Sequence, residues 1–258
     1  MRLIIINVLI FLTITGCSQQ RFKDIDLLEA VPQNTSFVIQ VNDTLDLANS
    51  SLLMKIFALH PSLKKTIKNI TPENPSLPFV YSITTIGKDQ KTVGFIAKSI
   101  PADTLIKYET EINYSGQIIG SINKGTQNLY IAQFGNLKMI AESKLLIENG
   151  IRNYVKKNRG ITSPEFFQLA ETINQNLAIN FFIHPLSKSL FNTFFTEVPL
   201  FPKTGKQWLA MDLEVESDFF TIDGVAFIND SIPDALNLIK SLTPTKTQLH
   251  NLVPMNFT

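Results

Sequence analysis

Short runs of apolar residues, separated by polar turn segments, recur along most of the chain. Runs of this length that are rich in Ile, Val, Phe and Tyr predict β-strands. Several neighbouring runs are joined by two to five turn-forming residues, which is typical of antiparallel hairpins and meanders. The predicted strands are residues 36–42, 77–86, 92–99, 116–122, 129–134, 137–142, 177–183, 208–216 and 219–229.

Segments with apolar residues at helical spacing lie between these groups of strands. Helices are predicted over residues 44–57, 63–70, 102–112, 143–155 and 233–242, and one more begins at Ser163. Because the strands do not alternate singly with helices, a parallel doubly wound sheet is disfavoured. The pattern predicts an α+β fold, with a mainly antiparallel sheet of hairpins and meanders and with helices grouped between them.

The N-terminus has the pattern of a bacterial lipoprotein signal peptide. Arg2 precedes a dozen mostly apolar residues, which are too few for a stable membrane span. The segment Ile14-Thr15-Gly16-Cys17 resembles a lipobox, and Cys17 is the only cysteine of the chain. The resemblance implies cleavage after residue 16, diacylglycerol attachment to Cys17 and acylation of the new N-terminus. An uncleaved signal anchor is the alternative.

Beyond this signal peptide (residues 1–16), the sequence predicts a polar tether, one globular domain and a tail. The tether covers 17–26, the domain covers 27–242 with a weak internal boundary near 158–160, and the tail covers 243–258. The tail repeats the Val-Pro-x-Asn motif that begins at Val31. We interpret this echo as the start of a truncated second copy of a unit of about 220 residues. A chance match is the alternative.

Composition and charge exclude several functional classes. The 258 residues carry a net charge of +1 and only four arginines, so the chain lacks the basic surface that nucleic acid requires. One cysteine and three isolated histidines predict neither a disulfide framework nor a metal centre. We expect no cofactor.

Catalytic motifs are missing from the sequence: it contains no G-x-S-x-G, H-E-x-x-H or P-loop pattern. His184, at the end of a predicted strand, is interpreted as a core or capping residue. Asp212, Glu214 and Glu216 alternate along another strand, which is typical of a solvated face. A hydrolase site at His184 or among the carboxylates, or a cation site at the carboxylates, is the alternative. We predict no catalytic residue.

A Phe-rich segment over residues 181–201 is the most unusual apolar feature. Pro199 and Pro202 interrupt any long helix there, so some rings lie on irregular backbone. Core packing is one interpretation, and an exposed patch that binds a partner or a hydrophobic ligand is the other. The candidate patch consists of Phe191, Phe194, Phe195 and Phe201.

Three Asp-Ser/Thr-aliphatic triplets resemble the periplasmic O-glycosylation sequon of Bacteroidota. The hydroxyls that this resemblance marks belong to Thr44, Thr104 and Ser231. All three lie where a strand is predicted to give way to a helix, so they are equally suited to capping that helix.

The lipobox, the short tether and the segment 27–39 together resemble a group of Bacteroidota envelope lipoproteins to which no role is assigned. The resemblance implies an envelope lipoprotein. Because Ser18 follows Cys17 where an Asp would resemble the inner-membrane retention signal, and no acidic cluster resembling a surface-export signal follows, we expect a periplasm-facing outer-membrane protein. We therefore predict a non-enzymatic, lipid-anchored protein that contacts the membrane through acylated Cys17 and binds another envelope component. A periplasmic hydrolase and a carrier of a hydrophobic ligand are the alternatives.

Overall fold

A computed structural model describes residues 26–43, 61–87, 90–99, 107–124, 127–184, 208–215 and 220–227. Within these ranges, ten strands form one sheet in the order β10-β9-β8-β1-β2-β3-β7-β6-β5-β4, and every neighbouring pair is antiparallel. The strands are β1 (Thr35–Val41), β2 (Phe79–Ile86), β3 (Gln90–Lys98), β4 (Thr110–Tyr114), β5 (Gln117–Lys124), β6 (Gln127–Phe134), β7 (Leu137–Ala141), β8 (Ile179–Ile183), β9 (Leu209–Val215) and β10 (Phe220–Ala226).

The helices of the described ranges are few and short. They are α1 (Pro61–Ile70), α2 (Lys144–Val155), α3 (Pro164–Thr172) and a 3-10 turn (Leu28–Ala30). Ser143 and Ser163 occupy the N-cap positions of α2 and α3, but neither side chain bonds the helix backbone there. The antiparallel sheet dominates this part of the chain, so the α+β prediction holds in outline. The predicted helices at 44–57 and 233–242 lie outside the described residues.

One predicted element is wrong in its second half. Residues 110–112 were expected to end a helix, and they lie instead in β4. The turn that follows explains the difference, because Ser115 and Gly116 both have positive φ (52° and 79°) and join β4 to β5 as a two-residue hairpin. A strand held by its neighbour outweighs the weak helical spacing of this segment.

Both faces of the central strands are buried. The helix face carries α2, α3 and the 3-10 turn, and its core includes Val38, Phe166 and Phe182. The opposite face, here called the aromatic face, carries α1, and its core includes the rings of Phe37, Phe79, Tyr81, Phe95 and Phe181. All residues of β1 and β8 are buried, which explains why these strands read as nearly continuous apolar runs.

Candidate functional site

The residues that the sequence singled out for lipidation, binding and glycosylation lie outside the described residues. This applies to Cys17, to Phe191, Phe194, Phe195 and Phe201, and to Thr44, Thr104 and Ser231. Two members of the Phe-rich segment are placed, because Phe181 and Phe182 belong to β8. Their rings pack into opposite faces of the sheet, with centroids 5.8 Å from Phe37 and 5.2 Å from Phe166. For these two rings, core packing is the correct interpretation.

A row of polar side chains crosses three strands on the helix face. Gln40 of β1 lies opposite Asn180 of β8, and Asn180 lies opposite Asp212 of β9. Asn42, directly after β1, joins the same row through its side chain. Side chains in register on adjacent strands share one face, so sheet pairing alone brings these groups together. This amide row (Gln40, Asn42, Asn180 and Asp212) was not anticipated from the sequence.

The amide row is tightly hydrogen-bonded. Asn180 Nδ2 donates to Asp212 Oδ1 at 2.8 Å, and Asn42 Nδ2 donates to Asn180 Oδ1 at 2.6 Å. Gln40 Nε2 in turn donates to Asn42 Oδ1 at 2.8 Å. The second carboxylate oxygen of Asp212 accepts the backbone N–H of Asn174 at 3.0 Å. The row therefore holds the chain after α3 against the sheet.

The carboxylate of Asp212 determines which way every amide points. An ionised carboxylate only accepts, so Asn180 must turn its NH₂ group towards Asp212. Each amide oxygen then faces the NH₂ group of the next residue, until the row ends at Gln40 Oε1. That oxygen is buried and has no hydrogen-bond partner in the described structure. Asp212 thus orients the amides of the row and is only half-exposed, whereas Glu214 is exposed as expected and Glu216 lies outside the described residues.

His184 lies at the end of β8 and packs edge to face against Trp208, with ring centroids 4.9 Å apart. Its backbone N–H donates to Ser36 O at 2.9 Å and so prolongs the pairing of β8 with β1. Partial burial lowers the pKa of the imidazole below its usual value, so the ring is neutral at pH 7. These contacts support the interpretation of His184 as a packing residue at the strand end.

We expect protonation of His184 to destabilise the fold. Since its pKa is lower in the folded chain than in the unfolded one, the unfolded chain binds more protons below about pH 6.5, and stability falls as the pH falls. Between about pH 7 and 5, the melting temperature of His184→Phe should therefore decline less than that of the wild type. Phenylalanine retains a ring against Trp208. Equal slopes for the two proteins would contradict the prediction.

Other polar groups gather in one small pocket beside the end of α1. Lys98 and Lys138 line it together with Asn74, Ser76 and Phe95, and its water-accessible volume is about 20 Å³. That volume suits about one water molecule. Among the residues that the structure describes, no three His, Cys, Asp or Glu side chains converge on a point where a metal ion could bind.

A scan against protein families and a search of curated proteins found no match for the chain. Among solved structures, it is similar to TP0453, a lipoprotein of Treponema. Crystal form I of TP0453 matches with 8% identity and a TM-score of 0.49, covering 85% of each chain. Form III matches with 12% identity and a TM-score of 0.46, covering 84% of this chain and 86% of that one. At these values the likeness supports no functional argument, so the function is argued from the residues of this chain alone.

Proposed function

We propose that this protein is a lipid-anchored bacterial envelope protein whose sheet domain binds another envelope component and catalyses no reaction. One observation carries the proposal: the only thiol of the chain stands at the end of a lipobox, just ahead of the folded domain. Several acyl chains on one residue would make the anchorage effectively permanent, at about 0.8 kcal/mol per buried CH₂ group.

The start of the domain supports a position close to the membrane. Leu27 comes ten residues after Cys17, and Leu27, Leu28 and Val31 are buried in the core of the helix face. Ten residues reach at most about 35 Å when fully extended. A domain tethered at Cys17 is thus confined to the layer next to the lipid headgroups, where its contacts are with other envelope components.

The side of attachment follows from the residues after the anchor. The residue after Cys17 is Ser18, whereas an aspartate at that position would resemble an inner-membrane retention signal. Residues 18–23 contain no acidic cluster that would resemble a surface-export signal. Both features favour the periplasmic face of the outer membrane. No helix among the described residues is long and apolar enough to span a membrane.

The described chemistry favours binding over catalysis. Asp212 and His184, two of the candidates for a hydrolase site, are engaged in holding strands and the chain after α3, and Glu214 is exposed on β9. The surface proposed for the partner is the Phe patch of residues 191, 194, 195 and 201, in the part of the sequence where two prolines interrupt any long helix.

Replacement of Cys17 by alanine tests the proposal. We expect the wild type to incorporate a clickable fatty acid and to sediment with membranes, and Cys17→Ala to lose both properties because no thiol remains to acylate. Cross-linking in intact cells should join the wild type to another envelope protein, identified by mass spectrometry. Cys17→Ala should lose much of that adduct because it leaves the membrane surface.

Ser18→Ala serves as the matched control, since it alters the neighbouring residue and keeps the thiol. It should label and sediment like the wild type. Labelling that persists in Cys17→Ala would show that the lipobox resemblance is accidental. If the protein is anchored but forms no cross-linked adduct, the proposed binding of an envelope component is refuted and the lipid anchor stands.

A further inference from the structure

The strand β4 is the outer strand at one end of the described sheet, and it is open to solvent on both faces. Four successive residues, from Thr110 to Asn113, are exposed, and Ile112 keeps 41% of its surface accessible. Beside it on β5, Ile118 is 44% exposed. The strand contains no proline or lysine, two residues that commonly protect a sheet edge from pairing with another strand, and its one charged residue is Glu111.

The hairpin turn determines which backbone groups face outward. In a two-residue hairpin, the residues that flank the turn form a hydrogen-bonded pair, here Tyr114 and Gln117. Bonded and non-bonded pairs alternate along an antiparallel ladder, so Ile112 is bonded to β5 as well. The N–H and C=O groups of Glu111 and Asn113 therefore point away from the sheet, where they can pair with another strand.

We propose that β4 pairs with β4 of a second copy of this chain, around a two-fold axis that passes through Ile112. In this register Glu111 lies opposite the partner's Asn113, and the two exchange both of their outward hydrogen bonds. The same exchange occurs on the other side of the axis. Ile112 faces the partner's Ile112 in the closely spaced, non-bonded position, which covers its exposed apolar surface.

Charge favours this register over its neighbours. Moving the axis to Glu111 would place two carboxylates directly opposite each other, which is destabilising. If the axis passed through Asn113, Glu111 would lie opposite Ser115 in the turn of the second copy, beyond the end of its strand. Only the two Asn113 residues would then form a hydrogen-bonded pair. The axis at Ile112 satisfies every outward group without opposing like charges. The pairing requires neither acylation nor the Phe patch.

Single cysteines test the register in membranes that contain the full chain. Two Ile112→Cys copies would meet across the axis with Cα atoms about 4.5 Å apart, which is within reach of a disulfide. In the same register, two Thr110→Cys copies would lie about 14 Å apart, which is out of reach. Mild oxidation should therefore link Ile112→Cys chains into dimers, and Thr110→Cys should yield no more dimer than the wild type, whose Cys17 sets the background.

A proline substitution tests the hydrogen bonds. Glu111→Pro removes an outward N–H and leaves the ladder to β5 intact, as edge prolines do. We expect sedimentation equilibrium in density-matched detergent to show a dimer for the wild type and for Glu111→Ala, and a monomer for Glu111→Pro. An unchanged circular dichroism spectrum would confirm that Glu111→Pro is folded.

Several outcomes would overturn the proposal. A monomeric wild type would do so, as would a Glu111→Pro chain that remains dimeric, because the contact would then lie elsewhere. Equal cross-linking at positions 110 and 112 would exclude the register. Cross-linking of Ile112→Cys mainly to a different protein would assign this edge to a strand of that protein.

Discussion

Gly160→Ala should destabilise the protein by about 3 kcal/mol or more, which for a chain of this size lowers the melting temperature by roughly 6–12 °C. Gly160 is buried, and its backbone N–H donates to Glu29 O at 3.1 Å. A Cβ atom there would lie 1.8 Å from Val31 O and 2.7 Å from the carbonyl carbon of Val31. Both are backbone atoms, so a rotamer change relieves nothing and the two segments must separate.

Urea unfolding of Gly160→Ala and of Gly224→Ala would measure this effect against a matched control. Gly224 lies exposed on β10, and a Cβ atom there would meet mainly the flexible side chain of Met211 at 3.3 Å. We expect Gly224→Ala to stay within about 0.5 kcal/mol of the wild type. Equal losses in the two variants would show that the segment around Val31 yields easily and does not depend on Gly160.

Asn180→Asp should also cost about 3 kcal/mol or more near pH 7. The substitution keeps the shape of a side chain that is fully buried, but it replaces the NH₂ group that donates to Asp212 Oδ1 and to Asn174 O. An oxygen would then face two acceptors. If it is ionised, a second carboxylate lies beside that of Asp212 at a fully buried position.

The loss in Asn180→Asp should depend on pH with a definite sign. Burial and the charge of Asp212 raise the pKa of the introduced carboxyl in the folded chain, so the folded state binds more protons than the unfolded state. Stability relative to the wild type then falls as the pH rises from about 4 to 7. Chemical unfolding across this range measures the slope.

Asn176→Asp introduces the same charge at an exposed position close by. There the backbone N–H of residue 176, which the substitution retains, donates the hydrogen bond to Asn174 Oδ1. We expect it to cost less than about 0.5 kcal/mol at any of these pH values. If the difference in unfolding free energy between Asn180→Asp and the wild type does not change with pH, water reaches the amide row and screens the charges.

Hairpins and their turns could be predicted from the sequence, because each depends on a few turn-forming residues between two neighbouring apolar runs. Gly135 and Asn136 separate two apolar runs, and the structure joins β6 to β7 at that point. The strand β4 was missed because residues 102–112 were interpreted as one short helix, although Ser115-Gly116 is itself a turn signal. Where a short segment satisfies two patterns, the neighbouring strand decides.

The candidate site could not be predicted, because it depends on which strands are neighbours. Asn180 stands in a run of apolar residues, and nothing in that run indicates an amide beside Asp212. The contact exists because β8 is inserted between β1 and β9, an order that apolar periodicity does not encode. The close approach of Gly160 to Val31 could not be predicted for the same reason, because the sequence does not show that these two distant segments pack against each other.

The position of β1 has a consequence for how the chain reaches its native state. Val41 pairs with Ile179, about 140 residues later in the sequence, whereas its other neighbour, β2, follows far sooner. Closing so long a loop is slow, so the edge of β1 that faces β8 stays unpaired while the strands from β2 to β7 pair with one another. During that interval the newly made chain presents a strand whose centre is apolar, Phe37 to Ile39, to any other unfolded chain, and aggregation competes with folding until β8 pairs with β1.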